Sequence, residues 1–237
     1  MLTSYQINHF RQSGYLVLPT ALEASVVSDL KRLVLADIER EVMPVARNAD
    51  GRVVRISALL ARDPKFLEVA RSEVVVGPLL SLLGENIEIL TNRHNHATLN
   101  LKSQADDFHR DNMQWSRGLL TVIFYLETTT QENGCTQLVP GSHLLPGVGQ
   151  HHRLSDVDWV NGSGLFEQAV QIPVEAGGML AIDSTIFHRI GGNQTDGSRI
   201  SMTIGYQSVD EFNDQENPKR ILISGDRIYS GNDRGKA

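Results

Sequence analysis

The chain has 237 residues, 41% apolar and 21% charged, with 22 basic against 28 acidic side chains and a formal charge of −6. That length suits one domain with a large buried core, and the thin, unclustered positive charge gives nucleic acid no electrostatic footing. The longest apolar run, 119–126, is far short of the ~20 residues that span a bilayer, no leader segment opens the chain, and the single Cys135 suits a reducing cytoplasm.

Taken in chain order, residues 5–13 predict a short helix. Gly14 then introduces Tyr15, Leu16, Val17 and Leu18, closed by Pro19, which predict a short buried strand. Thr20 and Glu23 have capping-box spacing for a helix whose stripe is Val26, Val27, Leu30, Leu33, Val34, Ile38 and Val42. A polar segment, 47–62, carries Arg47, Arg52, Arg55 and Arg62. Two more helices are expected over 64–70 and 73–83, the second stopped by Gly84.

Beyond Gly84 the apolar period changes to that of strands. Segments 87–101, 119–127, 136–139, 170–174, 179–187 and 200–207 fit, separated by turn clusters such as Glu132-Asn133-Gly134 and Ala176-Gly177-Gly178. Helices first and many short strands afterwards imply an α+β chain with a mainly β core, a jelly-roll or cupin-like barrel with N-terminal helices packed on one side. No repeat or linker divides the chain, so 1–237 is expected to be a single domain. Its helical part runs to about 84, its barrel covers about 85–210, and its tail is 211–237. The tail's apolar patch, Ile221-Leu222-Ile223, would cover the barrel mouth or make a subunit contact.

Of eight histidines, the informative one opens His109-Arg110-Asp111. On an extended strand, residues i and i+2 face the same way, so His109 and Asp111 would offer an imidazole nitrogen and a carboxylate oxygen to one ion. Chance alone supplies such a spacing readily. His188, following the apolar segment 179–187, would complete a facial triad of two histidines and one carboxylate, which leaves three metal positions open. Two of these suit 2-oxoglutarate and the third O2. After a turn, Arg199 and Ser201 would point back into the same cavity, a fork and a hydroxyl suited to the distal carboxylate of that co-substrate. Asn100 and Thr121 are either further co-substrate contacts or polar groups satisfied within the barrel.

These residues sit in a sequence that resembles the phytanoyl-CoA dioxygenase family of Fe(II)/2-oxoglutarate-dependent oxygenases. The resemblance is carried by Phe10 through Pro19, by His109-x-Asp111, by Asn133-Gly134-Cys135-Thr136-Gln137-Leu138-Val139-Pro140-Gly141-Ser142-His143, by Ala176-Gly177-Gly178, and by the eleven-residue step from His188 to Arg199. It implies a double-stranded β-helix, iron(II) held by His109, Asp111 and His188, and 2-oxoglutarate decarboxylated to succinate and CO2 as O2 is consumed. Hydroxylation of a C–H bond in a small polar metabolite or natural-product intermediate is the default outcome, with cyclisation, desaturation and epimerisation as alternatives. Phe108 stands where many members carry tryptophan, which implies a different pocket wall. Asp111 stands where halogenating relatives carry a small residue, which disfavours halogenation.

Substrate contacts are expected from Trp115, just beyond the metal motif, from His96, and from Arg55, which falls where such enzymes often place a lid and which either meets an anionic group or belongs to a solvated face. His94 and His96 lack the following carboxylate of a cupin-type site, so they read as structural or pocket-lining. His143 would organise its turn, His151 and His152 would be exposed, and Cys135 would be a small core residue. A binding module with a vestigial metal site is the rival reading. It has no need of His109, Asp111, His188 and Arg199 together.

Overall fold

The computed structural model describes residues 1–111, 119–145, 154, 157–209 and 217–227. Helix α1 spans Ser4–Ser13, strand β1 Tyr15–Val17 and helix α2 Ala24–Glu39. The capping box lies on α1, where Thr3 accepts from the Gln6 amide and Gln6 accepts from the Thr3 amide. Thr20 and Glu23 do not form one: Glu23 caps α2 without a side-chain bond, and the Thr20 hydroxyl donates to the Val74 carbonyl at 2.7 Å. α2 ends before Val42, which is exposed. Helices α3 (Pro64–Ala70) and α4 (Glu73–Leu83) have the expected bounds. Asp63 caps α3 ahead of its first-turn proline, and Gly84, at φ 91°, closes α4.

The segment 47–62 is not a simple loop. Strands β2 (Val45–Arg47) and β3 (Val53–Ser57) form a hairpin, and β3 pairs with β5 (His96–Asn100) through Arg55↔Thr98, Ile56↔Ala97 and Ser57↔His96. Val53 and Ile56 are buried, Arg47 and Arg55 are exposed on the hairpin, and Arg62 follows it with its side chain buried. The expected strand 87–101 is likewise two, β4 (Ile87–Leu90) and β5, divided by a turn in which His94 has φ 46°.

The remaining strands are β6 (Leu119–Tyr125), β7 (Thr136–Leu138), β8 (Val170–Ile172), β9 (Met179–Asp183), β10 (His188–Ile190), β11 (Arg199–Ser208) and β12 (Arg220–Ser224). Among the described residues they build a nine-stranded antiparallel sheet, β1-β9-β6-β11-β5-β3-β2, with β4 on the far end of β11 and β12 on β4. A second sheet, β10-β7-β8, faces it. Tyr125, Leu180 and Ile182 of the first pack with Leu138, Ile172, Val174 and Ile186 of the minor-sheet side. This is a double-stranded β-helix. The apolar patch in the tail is β12, whose Arg220 reaches the buried Glu88 of β4 at 3.1 Å.

Alternation on the central strands assigns the two faces. Ile200, Met202, Ile204 and Tyr206 of β11 join Leu120, Val122 and Phe124 of β6 and the α2 stripe (Val27, Leu30, Val34) in the large core. The intervening Arg199, Ser201 and Thr203 of β11 line the cavity between the sheets, as do Thr121 and Ile123 of β6 and His96 and Thr98 of β5. The N-terminal helices thus cover one face of the major sheet and leave the other to the site. No helix among the described residues is long and apolar enough to cross a membrane.

Candidate active site

His109 and Asp111 do not lie on a strand. They follow an irregular segment and are held by a single antiparallel bridge, in which His109 N–H donates to the His188 carbonyl at 3.0 Å and His188 N–H donates to the His109 carbonyl at 3.1 Å. His188 does not end the strand of segment 179–187 either. β9 stops at Asp183, whose carboxylate accepts from the Thr185 amide and hydroxyl, and the turn delivers His188 to β10 in the opposite sheet. Arg110, between the two expected ligands, points away from them. Its Nε donates to the Thr185 carbonyl at 2.9 Å and its guanidinium lies over Phe187, which fastens the motif to that turn.

The ligand atoms of His109, Asp111 and His188 all lie within 4.8 Å of one another. His109 Nε2 is 4.0 Å from Asp111 Oδ1, and His188 Nε2 is 3.7 Å from Asp111 Oδ2. The Nδ1–H of His109 donates to the Asp107 carbonyl at 3.1 Å, and that of His188 to the Ile186 carbonyl at 3.0 Å. In this arrangement both Nε2 lone pairs are turned to the shared centre, as metal-ligating histidines require. Thr121 donates its hydroxyl to Asp111 Oδ2 at 3.0 Å and lies 3.2 Å from Ser184 Oγ. That commits Thr121 to the carboxylate. Arg93 donates to the Asp111 backbone carbonyl.

The electrostatics favour a metal-ready state. Burial alone would raise the Asp111 pKa, but His188, His94, His109 and the Thr121 hydrogen bond outweigh it and hold the carboxyl below its ordinary value. Burial and then His188 depress His109. The set is therefore an ionised carboxylate beside a neutral imidazole, which is the protonation a divalent ion needs. His96, further out, is pushed down to about 4 by burial, Arg55 and His94, so it stays neutral near pH 7.

At the other end of the cavity, Arg199 is 1% exposed, and its Nε and Nη2 are buried with no hydrogen-bond partner. Its cross-strand neighbour Asn100 buries Nδ2 in the same condition. Tyr125 stands nearby with its hydroxyl 2.7 Å from Thr136 Oγ1. Burial pushes its pKa up to about 12, so it is a neutral phenol. Glu127 acts on this guanidinium electrostatically but leaves Nε and Nη2 without a hydrogen bond, and unsatisfied buried donors call for an explanation. A carboxylate entering the cavity would bond them. Gly134, at φ 84°, lets the Asn133-Gly134-Cys135 turn close over this end, where a Cβ would run into the Gly191 carbonyl and sit 3.0 Å from Asn100 Nδ2.

A cavity of about 400 Å³ joins the two ends, with His109, Asp111, Thr121, His188, Arg199, Ser201, His96 and Arg55 on its walls. Trp115, His151 and His152 lie outside the described residues. Of the lesser expectations, His143 is buried and its Nε2 bonds the Arg11 carbonyl at 3.0 Å, while Cys135 is a buried free thiol. Arg47 pairs with Glu41, and Arg62 with Asp37 and the carbonyls of Ser57, Val42 and Pro44, so neither is available to a ligand. The sequence reading missed Arg189 and Asp106, which also line the cavity, and the closeness of His94 Nε2 to Asp111 Oδ1 at 3.5 Å. The positive φ of His94 is invisible in a sequence.

A family model described as phytanoyl-CoA dioxygenase matches residues 10–201. A mouse relative, phytanoyl-CoA dioxygenase domain-containing protein 1, is 26% identical over 165 residues, covering 62% of this chain and 54% of its own. Similar solved structures include apo EctD from S. alaskensis, with TM-score 0.74 and 19% identity over 92% of this chain and 83% of that one. They also include SnoK, a non-heme alpha-ketoglutarate-dependent carbocyclase from nogalamycin biosynthesis, with TM-score 0.76 and 19% identity over 94% and 97%. EctD has also been solved with 2-oxoglutarate and 5-hydroxyectoine, and with bound Fe.

Proposed function

Since the chain belongs to the phytanoyl-CoA dioxygenase family, we propose that it is a 2-oxoglutarate-dependent non-haem iron dioxygenase that hydroxylates a C–H bond of a small substrate. In this reading His109, Asp111 and His188 hold iron(II), and Arg199 with Ser201 and Asn100 receives the distal carboxylate of 2-oxoglutarate. The observation that carries it is the pairing of the two cavity ends, one with three convergent ligand atoms and the other with orphaned donors on Arg199 and Asn100. A binding module has no use for that combination.

When bound, iron(II) couples the decarboxylation of 2-oxoglutarate to the reduction of O2 and so supplies the oxidising power. The chain's own residues do the rest. The bridge between His109 and His188 fixes the separation of two ligands. Thr121 orients Asp111, and Arg199 fixes the length and direction of the co-substrate. The apolar packing between the two sheets, Tyr125, Leu180 and Ile182 against Leu138 and Ile186, closes the barrel beside the cavity and limits water there. We read 1–237 as one oxygenase domain, and the buried free thiol of Cys135 supports a cytoplasmic setting.

Under air, the protein is expected to convert 2-oxoglutarate to succinate only when iron(II) is supplied, and faster when its substrate is present. Succinate formation that persists in a chelator, or its absence with iron(II) and 2-oxoglutarate in excess, would count against the proposal. Product mass then separates the outcomes: one added oxygen for hydroxylation, two lost hydrogens for desaturation or ring closure, and no change for epimerisation.

A further inference from the structure

The turn between β4 and β5, residues 91–95, reaches the metal end of the cavity. Asp111 lies in an irregular segment whose strand bridge ends at His109, so contacts from elsewhere must place it. The turn supplies two of them. Arg93 donates to the Asp111 backbone carbonyl, and His94 Nε2 stands 3.5 Å from Asp111 Oδ1. The turn is itself fixed. Asn95 donates Nδ2 to the Thr91 carbonyl at 2.9 Å and accepts from the Leu60 amide at 3.0 Å, and the Thr91 amide donates to the Lys219 carbonyl at 2.8 Å. His94 takes φ 46° there, a strained conformation of the kind that clusters where a side chain must be aimed. Opposite it, β11 carries Gly205. A Cβ at that position would lie 3.7 and 3.8 Å from His94 Cβ and Cδ2, so the imidazole covers Gly205, the residue paired with Thr121 of β6. His94 and Thr121 thus approach Asp111 from adjacent places on one sheet face.

Asp111 Oδ2 accepts from Thr121 at 3.0 Å. Oδ1 offers only lone pairs, so the His94 nitrogen that faces it carries the ring proton. A separation of 3.5 Å is long for such a bond, as catalytic hydrogen bonds often are before ligands draw the groups together. Each carboxylate oxygen has two lone pairs, so each can accept one bond and keep a lone pair for a metal. His94 is not among the three groups whose ligand atoms converge. Resting on the oxygenase reading above, we propose that His94 is a positioning residue: its Nε2–H holds Asp111 Oδ1 while Thr121 holds Oδ2, and together they fix the rotation of the carboxylate that meets iron. A histidine kept only for its packing on Gly205, or for its backbone angle, is the competing explanation.

Substitutions at His94 separate these roles. The amide nitrogen of glutamine falls close to where a histidine Nε2 stands, so His94→Gln keeps the donor. His94→Asn, one methylene shorter, loses it, although asparagine tolerates a positive φ. His94→Phe keeps the ring and loses the donor. Iron(II) alone is titrated into each protein under nitrogen by calorimetry, with circular dichroism to confirm folding. His94→Gln is expected to bind iron(II) within about threefold of the unaltered protein. His94→Asn and His94→Phe should bind it about tenfold or more weakly, as loss of a group that orients a metal ligand does. At saturating iron(II), 2-oxoglutarate affinity should stay within about threefold in every variant, because Arg199 lies at the other end of the cavity. Full iron(II) affinity in His94→Asn or His94→Phe would overturn the proposal, and so would a loss in His94→Gln as large as theirs. A parallel fall in 2-oxoglutarate affinity, or failure of both donor-free variants to fold, would assign His94 to packing and overturn it too. Failure of the unaltered protein to bind iron(II) overturns the oxygenase reading instead, and is seen before any variant is compared.

Discussion

Arg199→Ala is expected to raise the concentration of 2-oxoglutarate needed for half-maximal turnover by about 30-fold or more. Truncating one partner of a buried, hydrogen-bonded charge pair costs on the order of 2–5 kcal/mol, and each 1.4 kcal/mol is tenfold. Arg199 meets the conditions for the full effect, being 1% exposed with Nε and Nη2 unpartnered until a ligand arrives. Arg199→Lys should recover only part of the loss, because an ammonium lacks the planar fork that accepts a carboxylate through two parallel bonds. Iron(II) affinity should change little in either variant, since Arg199 is not among the convergent ligand groups. A 2-oxoglutarate KM within about threefold of the unaltered protein's would remove Arg199 from the co-substrate site, threefold being well under 1 kcal/mol.

Asp111→Ala should weaken iron(II) binding by more than about 100-fold and abolish succinate formation. The comparison that gives this scale is Thr121→Val. Removing a group that orients a ligand typically costs 10–100-fold in metal affinity, and Thr121 is such a group through its 3.0 Å bond to Asp111 Oδ2. Loss of the ligand itself must exceed loss of its support. Iron(II) titration of the three proteins, with circular dichroism to confirm folding, should rank them unaltered, Thr121→Val, Asp111→Ala. The reverse order for the two variants would mean that Asp111 does not face the metal.

The sequence exposed the site's members more readily than their placement. Alternation on β11 put Arg199 and Ser201 on one face and Ile200 and Met202 on the other, because that strand is buried on both sides with opposite chemistry. α3 and α4 were legible to the residue, since Asp63, Pro64 and Gly84 mark their ends. The bond that sets the metal site was not legible. The bridge from His109 to His188 joins an irregular segment to the minor sheet, and no local period encodes a contact between residues so far apart. The β2–β3 hairpin was concealed for a related reason: a register shift between Ala46 and Arg47 breaks the period-two alternation and leaves Val53 and Ile56, three residues apart, as the buried members of β3. Thr20 and Glu23 had the spacing of a cap, but Thr20 is claimed by the Val74 carbonyl from α4. In each case a long-range partner overrode a local preference.

One cavity is expected to receive iron at one end and a carboxylate at the other, and anaerobic titration tests this directly. Iron(II) and 2-oxoglutarate added together under nitrogen should give a weak visible charge-transfer band that saturates at one iron and one 2-oxoglutarate per chain. The band should fade with release of succinate when air is admitted. No band with both in excess, and no succinate on admitting air, would contradict it.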